Sequence, residues 1–388
     1  MRVLIVANPA LGHVLPILPL AIALRDTGHE VAFLTGSSMA GPLAGAGLRH
    51  VVGGPPDLPT AFAQVPERAG LTGRRLAMVT WQRGFGVVIA RAMAAAVLDL
   101  AGEWRPDVVL HDDAEQGAWV AAERLGVPHV AVQATAWRGR GIRLSDAPLN
   151  ELRAHLGLEA DPGLARWHRH GFLATRPASL QDPSDPLPGT AVPMRPIAID
   201  EVDGETPGWL DRAPGGPPRV AVTLGTILPG RLDTMAAILD GLQGLDVEVV
   251  ATVGPGLDPA ALGTRPPRIH VERYVPMSRL LPTCDALVFH GGSGTMMAGL
   301  AAGLPLVVLP VAADQPENAD RCLAAGVGLA PRTGERDAAS IARATREILE
   351  DPAYRAAARG VAADIAAMPP PERLVPALVA LAEAGRSG

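Results

Sequence analysis

Lysine is absent from the 388-residue chain: every one of the 34 basic residues is arginine. No P-loop lysine, no lysine Schiff base with pyridoxal phosphate or a carbonyl substrate, and no lysine general base is available. Arginine-favouring codon usage accounts for the bias, and the chemical exclusion holds regardless. Aromatics are scarce at 3 %, so the cores must be built from Ala, Val and Leu, with 43 Gly and 38 Pro shaping the connections. Cys284 and Cys322 fit neither a metal spacing nor a disulfide framework; they read as small buried hydrophobes in a reducing, cytoplasmic setting. A net charge of −6 argues against nucleic acid as a partner. No run of roughly 20 uninterrupted apolar residues points to a membrane span. The apolar N-terminal segment to Leu24 imitates a signal peptide, yet Pro9, Gly12, His13, Pro16 and Pro19 break it into strand, loop and helix.

What is present is a repeated alternation. Arg2–Ala7, Glu30–Leu34, Asp107–His111 and His129–Val132 are short β-branched runs separated by helical segments, among them one near Glu115–Leu125. From Asp161 to Pro218 the pattern dissolves into turn-rich sequence, notably 182–189 and 213–218. It then restarts in Arg219–Leu224, Val247–Thr252, Arg268–Val271, Ala286–Phe289 and Leu306–Leu309. The length suits two domains, and the alternation makes each an α/β, doubly wound parallel sheet. Between Pro55 and Arg91, and between Arg138 and His170, periodicity is weak, and long specificity loops are expected.

The sharpest local signal is His290-Gly291-Gly292-Ser293-Gly294-Thr295, placed between a strand and a helix running to about Ala302. Glycines let a backbone approach an anion, and a helix N-terminus offers unpaired N–H groups and a positive dipole end. An ordinary strand-to-helix turn would need one glycine rather than three. The spacing is not that of the dinucleotide fingerprint, whose place after the first strand is taken by Asn8–His13.

This segment, with Gly303–Pro310 and Ala313-Asp314-Gln315-Pro316-Glu317-Asn318-Ala319, resembles the donor-binding signature of family 1 glycosyltransferases. More narrowly it resembles actinomycete enzymes that attach deoxysugars to natural products in antibiotic biosynthesis. Gly12-His13, Thr223–Thr226 and Tyr274-Val275-Pro276 fall in family order. The resemblance implies the GT-B fold, two Rossmann-like domains facing a cleft. The expected division is an acceptor-binding domain over 1–205, a donor-binding domain over 218–368, and a C-terminal helix, 369–388, returning to the first. It further implies that His290, Gly292, Ser293, Gly294 and Thr295, aided by Thr226, hold a diphosphate, with Gly12 also among the donor-binding residues. Asp314 and Gln315 then bond the sugar hydroxyls, Tyr274 stacks on the base, and the Val275 backbone reads its edge. Where many members carry a glutamate that grips the ribose hydroxyls, this chain has Ala298. A 2′-deoxyribose leaves one fewer hydroxyl to satisfy, so the departure favours dTDP-sugars over UDP-sugars.

His13 lies on the turn after the first strand, where a lone histidine is ordinarily solvent-facing or a cap; the resemblance assigns it instead the role of general base. A neutral imidazole, with a usual pKa of about 6.5, can remove a hydroxyl proton. An orienting carboxylate is expected from His111-Asp112-Asp113, with Asp112 the positional match and Asp113 a cap for the following helix. Trp81, Phe85, Trp137 and Trp167 sit in the two irregular stretches and suggest an apolar acceptor pocket, with ordinary core packing equally open. Arg138, Arg140 and Arg143 fit a solvated basic loop as well as a binding loop. The expected reaction is inverting displacement without a metal or other cofactor, the dTDP-sugar being a co-substrate. The partners are then a nucleotide-sugar and a small-molecule aglycone, with a homodimer as candidate assembly. The alternatives are a nucleotide-sugar 2-epimerase of the same fold, which needs extra carboxylates around the sugar, and a non-catalytic auxiliary homologue, which His13 and the Gly-Ser-Gly-Thr loop disfavour.

Overall fold

The computed structural model describes residues 1–200, 208–210, 215–225, 231–254, 256–331 and 336–387. The chain divides into two units. The first comprises Met1–Arg176, Asp182–Ile197 and Met368–Gly388; the second comprises Pro177–Gln181 and Ala198–Ala367. Residues 201–207 and 211–214, in the expected junction, lie outside the described residues.

The first unit is built on β1 (Arg2–Val6), β2 (Glu30–Thr35), β3 (Arg49–Val52), β4 (Val108–Asp112), β5 (His129–Val132), β6 (Phe172–Ala174) and β7 (Ala191–Pro193). They form one parallel sheet in the order β3-β2-β1-β4-β5-β6-β7. The central strands are apolar without alternation because helices cover both faces, and Val3, Leu4, Ile5 and Val6 are all fully buried. The final segment closes this unit. The Pro371–Leu374 turn packs on the Leu18–Asp26 helix, Arg195 N–H donates to Pro369 O (2.8 Å), and Arg386 Nη1 lies 3.4 Å from Asp107 Oδ1.

The second unit contains β8 (Arg219–Thr223), β9 (Glu248–Thr252), β10 (Ile269–Glu272), β11 (Ala286–Phe289), β12 (Leu306–Val308) and β13 (Gly328–Leu329). Its parallel order is β10-β9-β8-β11-β12-β13. The period of two divides each strand between two cores: Ala221, Leu287 and Val308 face one, Val220, Val222 and Val288 the other.

Three expectations need correction. The stretch expected to be a loop between Pro55 and Arg91 holds the Leu58–Ala63 helix and enters a 31-residue helix, Gly73–Glu103, whose Thr80–Ile89 portion is π-helical. That helix is long and apolar enough to cross a membrane by length and composition, but Ile89, Ala90, Met93, Ala94 and Val97 are buried in the core of the first unit. Beside its outer face and β3 lies a groove of about 680 Å³ lined by Val51–Pro55, Val88, Ala92, Ala96 and Leu100. Second, the segment 138–170 carries the Asp146–His155 helix, with Trp167 fully buried and stacked on Trp119 (5.8 Å) rather than lining a loop. Third, within the turn-rich 161–218 the triplets β6 and β7 extend the sheet, so 182–189 belongs to the first unit.

Candidate active site

In each sheet the strand order reverses once at the centre, between β1 and β4 in the first unit and between β8 and β11 in the second. Open α/β sheets bind ligands at the carboxyl ends of strands flanking such a reversal, because the loops there diverge and leave a crevice.

At the first reversal, β1 runs into Asn8–Ala10 and the short Leu11–Val14 helix, which carries His13; β4 ends on Asp112. His13 Nδ1 is 3.2 Å from Asp112 Oδ1. Since a carboxylate only accepts, Nδ1 bears the hydrogen and Nε2 the basic lone pair. Asp112 is fully buried. Its Oδ2 accepts from the Asn8 amide N–H (2.7 Å), and its Oδ1 also accepts from Ala114 (2.8 Å) and Glu115 (2.9 Å). These donors hold the charge in place and fix the carboxylate against the imidazole. Asp112 thus makes the turn contacts anticipated for Asp113, and the following helix begins later than expected, at Ala118, with Glu115 accepting from Gly117 and Ala118.

Asp113 points elsewhere: its Oδ1 accepts from Ala134 N–H (2.9 Å) on the turn after β5. Burial, reinforced by the Asp112 charge, pushes its carboxyl up to about 7. Glu115 is pushed to about 8, again chiefly by burial. Beneath them, burial drives His111 down to about 4, His168 to about 3 and His129 well below its usual value.

Of the aromatics assigned to the acceptor, Phe85 has its ring 6.1 Å from that of His13 and 5.7 Å from Trp81. Trp81 and Trp137 line one slot together with Asp113, Thr135, Ala136, Arg138 and Ile142. Phe85 thus stands beside His13 and Trp81, while Trp81 and Trp137 share the slot with Asp113. Gly12, also assigned to the donor, sits beside His13, where an added Cβ would meet nothing within 4 Å.

At the second reversal the Ser293–Ala301 helix starts from Gly292 with no side chain capping it, so its first N–H groups face outward from the turn. The His290 ring covers the glycines: a Cβ on Gly225 would lie 2.8 Å from its Cε1, and one on Gly292 2.5 Å from its Nε2. Gly225 has φ +65° and Gly291 φ +91°. His290 thus bridges the β8 and β11 loops; Thr226, next to Gly225, lies outside the described residues. Ser293 Oγ donates to Asp314 Oδ2, and Asn318 Nδ2 reaches both Gly291 O (2.7 Å) and Asp314 Oδ2 (3.1 Å). Gln315 Oε1 accepts from Val311 (2.8 Å) and Ala312 (3.0 Å), holding the loop that precedes its helix. Asp314 and Gln315 are accordingly buried within the loop scaffold. Gly294 and Thr295 lie in the first turn of the helix, with open space at the Gly294 Cα. Tyr274 and Val275 follow β10, two strands from the reversal, with Tyr274 half-buried and the Val275 side chain buried.

Asn8 and Asn318 were missed as site residues. Asn8 shares the His13 turn, and Asn318 stands one helical turn beyond Asp314, a spacing that puts both side chains on one face.

The arrangement matches a known group along its whole length. Residues 22–225 match the N-terminal domain, and 236–381 the C-terminal domain, of the family described as erythromycin biosynthesis protein CIII-like. The chain belongs to that family. L-demethylnoviosyl transferase of Streptomyces niveus is 34 % identical, covering 98 % of both chains. Elloramycin glycosyltransferase of Streptomyces olivaceus is 35 % identical over 96 % of this chain and 95 % of its own. Among solved structures, glycosyltransferase SnogD from Streptomyces nogalater has a TM-score of 0.79 at 32 % identity, covering 98 % of this chain and 99 % of its own. Streptomyces sp. SF2575 glycosyltransferase SsfS6, complexed with thymidine diphosphate, has a TM-score of 0.80 at 28 % identity, covering 97 % and 99 %. The fold is that of GT-B glycosyltransferases, and this family member is a glycosyltransferase of the actinomycete natural-product type.

Proposed function

We propose that the protein transfers a deoxysugar from a dTDP-sugar to a hydroxyl of an aromatic or polyketide-like natural product, inverting the anomeric centre without a metal. The observation that carries this reading is the His13–Asp112 pair at the sheet reversal, 3.2 Å apart and walled by Phe85. In the reaction His13 Nε2 takes the acceptor O–H proton as that oxygen bonds to the anomeric carbon. The bond from that carbon to the diphosphate breaks from the opposite face, and the electron pair leaves with the diphosphate. Asp112 stabilises the imidazolium that forms. The uncapped N-terminus at Ser293 and the glycines before it supply N–H groups to the leaving charge, a role that elsewhere falls to lysine or a cation. This is why a chain without lysine can run the chemistry. His290, Gly292, Ser293, Gly294 and Thr295 serve the diphosphate, Asp314 and Gln315 the sugar, and Tyr274 and Val275 the base. The thymine nucleotide is supported by Ala298, which leaves no carboxylate to pair a ribose 2′-hydroxyl, and by the thymidine diphosphate held by SsfS6. A cytoplasmic site of action accords with two buried cysteines that form no disulfide.

Thermal shift with dTDP, UDP and GDP tests the donor. At 100 times Kd a ligand adds about 2.7 kcal/mol of stability, so dTDP is expected to raise the melting temperature by several degrees and UDP by less. Equal or greater stabilisation by UDP overturns the dTDP assignment.

A further inference from the structure

The slot between Trp81 and Trp137 is small: its free space is about 10 Å³, the room that one water-sized oxygen occupies. It is too narrow for a ring. Its polar lining is Thr135, Arg138 and Asp113, the last nine-tenths buried with its Oδ1 committed to Ala134 N–H. The side-chain hydrogen bond found for Asp113 among the described residues is that one, to Oδ1. The Trp81 indole Nε1, on the same slot, is buried and without a hydrogen-bond partner among the described residues. A buried indole N–H left unsatisfied beside an oxygen-sized space is costly unless something polar fills it, and the Asp113 carboxyl on the same slot offers that oxygen a second polar contact. The neighbouring chain position is Asp112, which holds His13.

We propose that Asp113 and this slot form a subsite for a second oxygen of the acceptor, a hydroxyl or ring carbonyl other than the one glycosylated, which anchors the aglycone beside His13. The inference rests on the glycosyltransfer reading above and deepens it. The acceptor class it specifies is a flat polyoxygenated ring system, with Phe85 and the indoles against its face and one peripheral oxygen seated in the slot. Asp113 suits either kind of oxygen. Burial and the Asp112 charge hold its proton near neutrality, against the pull of Ala134 N–H, His13 and Arg176, so it can donate to a carbonyl or accept from a hydroxyl.

Two flat tricyclic phenols, 1,8-dihydroxyanthraquinone, which carries further oxygens, and 1-hydroxyanthracene, which carries none beyond its single hydroxyl, serve as probes. Binding is read from tryptophan fluorescence quenching of the full chain. The expected result is that the wild type prefers the dihydroxy compound by on the order of tenfold or more. In Asp113→Leu the two affinities converge to within about twofold, while Asp113→Asn keeps part of the preference. Unchanged stabilisation by dTDP in both variants shows that each is folded. A wild type that binds neither compound or shows no preference, or an Asp113→Leu that keeps the preference, overturns the subsite. If the preference behaves as expected but no dTDP-sugar is turned over with either compound, the glycosyltransfer reading fails while the subsite stands.

Discussion

The two sheet reversals occupy the same place in two similar folds and carry opposite chemistry. In the first unit the ends of β1 and β4 present an imidazole and a carboxylate, with two further buried carboxyls, Asp113 and Glu115, within three residues of Asp112. In the second unit the ends of β8 and β11 present glycines, a hydroxyl and the bare start of a helix. A Rossmann-like crevice prescribes a position and not a reaction. On the reading proposed above, titratable side chains at the strand ends suit one crevice to moving protons, and close-approaching amides suit the other to holding an anion.

The contrast breaks most sharply at His13. His13→Ala should lower glycosyl transfer by about 10²–10⁴-fold, the range typical of a lost general base, while dTDP affinity stays within about twofold. Retained transfer would show that the first crevice does not do the proton chemistry. Asp112→Asn is next. It leaves the shape but places an amide where several N–H groups donate, so we expect transfer to fall by about 10²-fold and the melting temperature to drop by several degrees. Gly292→Ala probes the other side: its Cβ would sit 2.5 Å from His290 Nε2, so dTDP affinity should weaken by about 10-fold or more with the first unit unaffected. Equal affinity in titration calorimetry would take the diphosphate away from this loop.

The smallest effect is a pH dependence confined to the first unit. His111, His129 and His168 stay neutral when folded but regain the usual value of about 6.5 when unfolded. The unfolded chain therefore takes up protons as the pH drops below about 6.5, and stability falls. Asp113 and Glu115 work in the opposite sense. Raised to about 7 and about 8 in the fold, they contribute stability at lower pH that is lost as the pH rises through those values. Trp119 and Trp167, stacked in this unit's core, should report a melting temperature highest near pH 6.5 and lower on both sides. A flat profile between pH 5 and pH 8 would mean that these groups are not buried as described.

The strands at both reversals were legible in the sequence because fully buried parallel strands are short apolar runs that local pattern detects. The glycine loop and His13 were legible because glycine and histidine are conspicuous beside such runs. The Gly73–Glu103 helix was not, and its glycines are the reason. Gly84 and Gly86 read as loop signals, yet they sit where the helix is crossed: a Cβ on Gly84 would lie 2.9 Å from the Phe62 ring, and one on Gly86 3.2 Å from Gln116 Oε1. Close packing, which a local pattern does not encode, demanded them. The strands β6 and β7 escaped because three residues are too few to show a period. Sequence leaves Asp113 open to a capping role because it gives adjacency and not direction; only the fold shows that Asp112 faces His13 while Asp113 lines the slot.

The return of residues 368–388 to the first unit has a consequence for how the molecule is made. The segment that completes the first unit is synthesised after every residue of the second. On the ribosome the second unit can close its sheet from a continuous stretch, while the first waits with the Leu18–Asp26 helix uncovered until Pro371–Leu374 arrives. The first unit, though encoded first, is thus completed last, so nascent chains hold a finished second unit before the first is whole.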